Sequence, residues 1–190
     1  ILNLKLMRQS GNLKSAVFLD RDGVVNESLI RRNKPFSPRR LDEVVILEGV
    51  RQAVSVLQSI GLIVVVVTNQ PDIAHGFITR RLVNKINSMI STETGIEHFY
   101  VCEHKAEDSC ECRKPRPGLL MRAAYELSLS LSSSYLVGDR WKDIDAGQQV
   151  GCECFFIDYD YSESQPKPPL TTVSSLLEAT TLILERENDK

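Results

Sequence analysis

Two carboxylates one residue apart, Asp20 and Asp22, follow directly on the apolar run Ala16-Val17-Phe18-Leu19. Acids in that position can gather a hard divalent cation through oxygen ligands and still leave a carboxylate oxygen free to attack an electrophile. An isolated Asp-x-Asp is more often a solvated turn, so the weight rests on what recurs downstream. Thr68-Asn69 follows the apolar run Leu62–Val67 and offers a hydroxyl and an amide that can donate to phosphate oxygens. Asp139, with Asp143 four residues on, follows the run Ser134–Val137 and Gly138, which permits a tight turn. Between them lies the cationic pair Arg113-Lys114, ahead of Pro115. Each element alone has a bland reading as a helix cap, a turn acid or a surface lysine. Their ordered recurrence at the ends of apolar runs favours one shared site.

A second cluster has a different chemistry. Cys102-Glu103-His104 and Cys110-Glu111-Cys112 form C-x-H-x5-C-x-C, three thiols and an imidazole that suit tetrahedral Zn²⁺. The alternatives are reduced surface thiols or a single disulfide. Four protein ligands leave no open position, so a zinc ion here would be structural and would fold the loop that delivers Arg113 and Lys114. Five cysteines in a chain without secretory features favour metal over a disulfide framework. Cys152 and Cys154 alternate along an expected strand and read as core residues.

The elements that must position these groups follow from periodicity. Strands are expected at Ser15–Leu19, Leu62–Val67, His98–Cys102, Ser134–Val137 and Cys152–Asp158. The unbroken β-branched run Leu62–Val67 reads as a central parallel strand covered on both faces. Helical spacing runs from Val50 to Ile60 with Gly61 as a stop, from Leu82 to Ile90 with Gly95 closing it, over Pro117–Leu129 and over Asp143–Val150. Asn26–Asp42 reads as a long loop carrying Arg31, Arg32, Lys34, Arg39 and Arg40, a charge run that could screen a second phosphate or be only a solvated face. Tyr159–Pro169 reads as a surface loop and Val173–Glu187 as a terminal amphipathic helix. The first dozen residues read as a ragged lead-in with a break at Ser10-Gly11-Asn12. Alternation of strands and helices predicts an α/β fold, a doubly wound parallel sheet flanked by helices.

The 190 residues suit one such domain, with a core over about 15–157 and a C-terminal loop and helix over 158–190. A net charge of −2 argues against a nucleic-acid binder that relies on broad electrostatics. The longest apolar run is too short to span a bilayer, so no membrane partner is expected and a cytoplasmic location is the default. A monomer is expected, because the reacting groups fall within one domain.

Taken in order, Asp20-Arg21-Asp22-Gly23, Thr68-Asn69, Lys114-Pro115 and Gly138-Asp139-x-x-x-Asp143 resemble the four motifs of the haloacid dehalogenase superfamily of phosphotransferases. The resemblance implies a Rossmann-like sheet without a separate lid domain. It implies Asp20 as the nucleophile that forms an aspartyl-phosphate and Asp22 as general acid/base. Thr68, Asn69 and Lys114 would neutralise the phosphoryl oxygens. Mg²⁺ would be held by Asp20, the backbone carbonyl of Asp22, and Asp139, with Asp143 in support.

The cysteine loop running into Arg113-Lys114-Pro115, with Asp20–Asn26 and Thr68-Asn69-Gln70, is similar to the D-glycero-D-manno-heptose 1,7-bisphosphate 7-phosphatases. Histidinol-phosphate phosphatase domains share that loop. The resemblance implies substrate contacts at Ser28, Leu29, Ile30 and Arg31, at Gln70 and Pro71, and at Arg113. Arg140, which stands after the metal aspartate where lysine is frequent, joins that set. Departures lie at Pro71-Asp72, at His75 and in the short span from His104 to Cys110. The expected activity is Mg²⁺-dependent hydrolysis of the 7-phosphate of a small phosphorylated sugar, in nucleotide-activated heptose synthesis. The alternatives are histidinol-phosphate hydrolysis and a catalytically silent zinc-stabilised binding module. The intact acids at Asp20, Asp22 and Asp139 argue against the last.

Overall fold

A computed structural model describes residues 13–189; the expected lead-in and the break at Ser10-Gly11-Asn12 fall outside the described residues. The first strand, β1 (Ala16–Leu19), is followed by a small hairpin, β2 (Leu29–Arg31) and β3 (Lys34–Phe36), and then α1 (Val50–Ser59). Next come β4 (Ile63–Asn69), α2 (Arg80–Thr94), β5 (His98–Cys102) and α3 (Gly118–Leu127). The chain then runs through β6 (Tyr135–Gly138), α4 (Trp141–Gln148), β7 (Glu153–Ile157), β8 (Thr171–Val173) and α5 (Leu176–Asn188).

Six strands form one parallel sheet in the order β5-β4-β1-β6-β7-β8. The chain winds outward from β1 to β4 and β5, then returns to β6 on the other side. The order therefore reverses at β1, and the crevice beyond the carboxyl ends of β1, β4 and β6 is where such sheets bind ligands. Residues alternate faces along each strand. Val17, Leu19, Val64, Val66, Val137 and Phe155 pack with Ala53, Leu57, Ile86, Ile90 and Ile183, so α1, α2 and α5 cover one face. Phe18, Val65, Val67, Leu136 and Phe156 pack with Leu119, Leu120, Ala123 and Ile144, so α3 and α4 cover the other. Cys152 and Cys154 belong to that second core, as their alternation predicts.

Gly95 ends α2 at φ 78°, the left-handed conformation that favours glycine at a helix C-terminus. Three expectations needed correction. Asn26–Asp42 is not wholly loop: β2 and β3 pair antiparallel across Arg32 and Asn33, at φ 51° and 55°, and a 3₁₀ turn spans Leu41–Glu43. A turn made by two non-glycine residues, next to a strand containing Pro35, carries none of the usual hairpin signals. Val173 ends a short strand rather than starting the last helix, which begins at Leu176 after the Ser175 cap. A three-residue edge strand is too short to leave a periodicity. The helix α4 starts at Trp141, two residues early, because the Asp143 carboxylate accepts the Arg140 N–H at 3.1 Å and closes the first turn. No described helix is long and apolar enough to cross a membrane.

Candidate active site and metal-binding clusters

The reversal at β1 brings together acids more than a hundred residues apart. Asp20 follows β1 and donates its N–H to Val137 O of β6 at 3.0 Å, which sets it beside Asp139 at the end of that strand. Ligand oxygens of Asp20, Asp139 and Asp143 lie within 4.8 Å of one another, all on buried residues. Lys114 reaches in from the loop before α3, and its Nζ lies 2.9 Å from Asp20 Oδ1 and 2.6 Å from Asp143 Oδ1. It also donates to Val67 O at 2.6 Å. Two of the three carboxylates, Asp20 and Asp143, thus share one buried ammonium. Burial and the Asp143 charge push the Asp20 carboxyl up to about 6 despite Lys114. Burial and the charges of Asp20 and Asp143 raise Asp139 well above the carboxylate range. Burial disfavours the Lys114 charge, but Asp143 and Asp20 outweigh it and hold the ammonium above its ordinary value.

The acids are short of positive charge, and the buried Asp139 Oδ1 has no hydrogen-bond partner among the described residues. An oxygen-rich, electron-rich cluster with an orphaned carboxylate oxygen fits a hard divalent cation. The backbone is shaped for close approach. A Cβ built on Gly23, at φ 91°, would fall 1.9 Å from Asp139 Oδ2, and one on Gly138 would fall 2.3 Å from Asp143 Cβ. Only glycine fits either place.

Asp22 faces another environment. The fully buried Arg21 guanidinium holds it through Nε to Oδ1 at 3.1 Å and Nη2 to both oxygens at 3.0 Å. Asn26 Nδ2, Ser37 Oγ and Gln70 Nε2 donate to it at 3.0, 2.7 and 2.9 Å. Burial would raise this carboxyl, but Arg21 and the hydrogen bonds keep it below its ordinary value. Arg21 Nη1 also donates to Asn87 Oδ1 at 3.1 Å, which ties α2 to the site.

Thr68 is buried at the end of β4, its Oγ1 accepting from Gln70 Nε2 at 2.9 Å. The Asn69 carboxamide donates to Lys114 O at 3.0 Å and accepts the Lys114 N–H at 3.1 Å. It braces the lysine's backbone while the residue also lines the polar cleft beside Asp20. Gln70, expected at the substrate, is fully buried and braces Asp22 and Thr68 instead.

Asp20, Asp22, Ser28, Ser37, Thr68, Lys114, Arg140 and Lys142 line a polar cleft of about 50 Å³. It continues into a hollow of about 380 Å³ that takes in Lys34, Arg39, Pro71, Arg113, Arg140 and Lys142. Ser28, Pro71, Arg113 and Arg140 therefore line the cleft or the hollow that continues it. Leu29, Ile30 and Arg31 form β2; Ile30 lines another hollow together with Gly23, Ser28 and Tyr161, and the Arg31 guanidinium lies over Phe36. In the basic run, Arg39 pairs with Asp72 at 2.7 Å and packs on Phe77, while exposed Arg40 pairs with Asp42. A wider hollow of about 630 Å³ lies against α2, but no carboxylate or thiol lines it. Sequence reasoning missed Ser37, Lys142, Tyr161 and the role of Arg21. Arg21 had a local signal as the buried residue between two acids, whereas the other three reach the site only through the fold.

In the second cluster, Cys102 Sγ lies 3.6 Å from His104 Nδ1 and 3.7 Å from Cys110 Sγ. Cys112 Sγ lies 3.3 Å from His104 Nδ1 and 3.4 Å from Cys110 Sγ. These thiols are free rather than bridged. Zn–S bonds of about 2.3 Å place tetrahedral ligands about 3.8 Å apart, so the four atoms are spaced to hold such an ion. Burial raises the Cys102 thiol, and a cation would offset that. Arg113 Nη1 donates to His104 O at 3.1 Å and Arg116 Nη1 to Cys110 O at 2.8 Å. Gly118 N–H donates to Glu111 O at 3.1 Å, so the loop is pinned to the start of α3.

Residues 111–179 match the HAD-hydrolase-like family. A D-glycero-beta-D-manno-heptose-1,7-bisphosphate 7-phosphatase of Vibrio cholerae is 35% identical over 152 residues, covering 73% of this chain and 77% of the relative. The Helicobacter pylori enzyme of the same name is 30% identical over 144 residues, covering 72% and 79%. The crystal structure of a D,D-heptose 1,7-bisphosphate phosphatase from B. bronchiseptica, complexed with magnesium and phosphate, superimposes with a TM-score of 0.79 at 26% identity. That match covers 90% of this chain and 99% of the other. With the site geometry and these likenesses together, the chain belongs to the heptose 1,7-bisphosphate 7-phosphatase family of haloacid dehalogenase-like hydrolases.

Proposed function

We propose that this chain is a Mg²⁺-dependent phosphatase that hydrolyses the 7-phosphate of D-glycero-D-manno-heptose 1,7-bisphosphate. The observation that carries the reading is the buried meeting of Asp20, Asp139 and Asp143 around Lys114, with Asp139 Oδ1 unpartnered. The names of the relatives support the sugar. Asp20, Asp139 and the Asp22 carbonyl would hold Mg²⁺, with Asp143 supporting them. The bound ion would draw charge from the phosphoryl oxygens and lower the electrostatic barrier to attack by an anion.

Asp20 forms a bond to phosphorus as the bond from phosphorus to the sugar oxygen breaks, giving an aspartyl-phosphate. Asp22 gives its proton to the departing sugar oxygen. Without substrate Asp22 is held as a carboxylate by Arg21; the negative charge of an arriving phosphate raises its proton affinity, the direction that this step needs. Asp22 then takes a proton from the water that attacks phosphorus, releasing inorganic phosphate and restoring Asp20. Lys114 opposes the charge on the phosphoryl oxygens, and Thr68 offers its hydroxyl. Asn69 acts through the Lys114 backbone. The Cys102, His104, Cys110 and Cys112 loop holds a structural zinc that keeps Lys114 in register.

Phosphate release with Mg²⁺ from both heptose bisphosphate anomers and from histidinol phosphate tests the reading. A preference for either heptose anomer is expected. Equal or faster release from histidinol phosphate would overturn the substrate and keep the chemistry.

A further inference from the structure

The loop after β7 reads from sequence as an ordinary surface connection, yet it fastens to the site at several points. Tyr161 donates its hydroxyl to Asp139 Oδ2 at 3.0 Å. Glu163 accepts from Arg140 Nε at 2.9 Å and also pairs with Arg140 Nη2. On its outer side the loop is tied to the hairpin turn. Asn33 Nδ2 donates to Asp160 O at 2.8 Å, and the Ser162 N–H donates to Asn33 O at 3.0 Å. Tyr159 stacks on Tyr161 with centroids 5.5 Å apart, which holds the phenol ring over the crevice.

These contacts bear on one carboxylate. Asp139 has one oxygen bonded to Tyr161 and the other without a protein partner. A neutral donor on Oδ2 fixes the rotation of the group without cancelling its charge, so Oδ1 is presented to a cation at full strength. Arginine or lysine in that place would neutralise the ligand. Gly23 passes so close to Oδ2 that the carboxylate has little room to turn once the hydroxyl is in place.

We propose that Tyr161 is a positioning residue for Asp139, and that residues 159–163 form a strap coupling the metal site to the β2–β3 hairpin at the substrate cleft. The proposal rests on the Mg²⁺ reading above and adds a group that acts on the metal ligand without touching the reacting atoms. It gives the hairpin a way to sense the metal: a hairpin that shifts carries Asp160 and Ser162 with it, and through them Tyr161.

The test is a Mg²⁺ titration of the full chain, without substrate. Trp141 is the chain's one tryptophan and lines the same hollow as Asp139 and Tyr161, so its emission and the Mg²⁺-induced rise in Tm report binding directly. Tyr161→Phe keeps the ring on Tyr159 and removes only the hydroxyl. The half-saturating Mg²⁺ concentration is expected to rise roughly 10- to 100-fold, as when other outer-shell partners are lost. The Tm without Mg²⁺ is expected to stay close to that of the unaltered chain. Unchanged half-saturation in Tyr161→Phe would overturn the positioning role even if Tm fell. Asn33→Gly keeps the left-handed turn and removes the side-chain ties to Asp160 O and Ser162 Oγ; half-saturation is expected to rise about threefold, within the range of a neutral hydrogen bond. No rise there would overturn the coupling to the hairpin. If the unaltered chain showed no response to Mg²⁺ in either signal, the Mg²⁺ reading itself would fall, a result distinct from a failure of the strap alone.

Discussion

Two clusters of metal-type donors in this protein are built in opposite ways. The thiol and imidazole set spans Cys102 to Cys112, eleven consecutive positions, from the carboxyl end of one strand into the loop that follows. The carboxylate set takes Asp20, Asp139 and Asp143 from two strand ends and a helix, and sets Lys114 among them from a third segment. The first could close around an ion with little help from the rest of the chain. The second exists only after the sheet has formed, and it buries like charges that repel. A local cluster stabilises the loop that holds it, whereas a dispersed one draws on the stability of the fold to keep a charged site ready.

Substitutions can break or sharpen that contrast. The largest effect is expected from Asp20→Asn, which keeps the side-chain shape and removes the attacking charge. Turnover should fall by about 10⁴-fold or more with a native melting profile. Retained turnover would show that another group attacks. Lys114→Met should leave the buried acids Asp20 and Asp143 without their cation and lower stability by about 3–5 kcal/mol in Mg²⁺-free urea titrations. A neutral result would mean that the acids are not paired as described.

Cys110→Ser tests the other cluster. Bound zinc should be lost, and phosphatase kcat/KM should drop roughly 100-fold through misplacement of Lys114, with a smaller change in Tm. A loop that only stabilises the fold would reverse that pattern, with Tm falling and kcat/KM holding. Gly118→Ala asks whether the loop must press against α3, since a Cβ there would lie 2.3 Å from Glu111 O. A loss of about 1–3 kcal/mol is expected, because a backbone obstacle moves less easily than a side chain. Arg122→Ala, which removes an exposed pair with Glu126, should change stability by no more than about 0.5 kcal/mol and serves as the baseline.

Much of the architecture was legible beforehand. The run Ile63–Val67 is β-branched and buried on both faces, so its composition alone marks a central parallel strand. Helices α1 and α2 were visible in their spacing and in the glycines that end them. The hairpin and β8 were not, because three-residue strands at an edge bury too little for a pattern. Within the site, Asp20, Asp139, Lys114 and the four zinc-type ligands were placed by their position after apolar runs and by spacing. Gln70 and Asn69 were harder to place. Their types are equally suited to a substrate and to a neighbouring backbone, and only the fold reveals that Gln70 is buried against Asp22 while Asn69 both braces Lys114 and lines the cleft.

From sequence alone came the order of the five longer strands and the helices, the chemical types of both donor sets and the family they resemble. Those are local properties, written in periodicity and in short spacings. Tertiary structure decided which acids meet, that Arg21 and Ser37 hold Asp22, and that a surface loop returns through Tyr161 to touch Asp139. Apart from the Arg21–Asp22 pair of neighbours, such contacts join residues 15 to more than 100 positions apart, and a hydrogen bond depends on distances of a few tenths of an ångström that spacing along a chain does not encode.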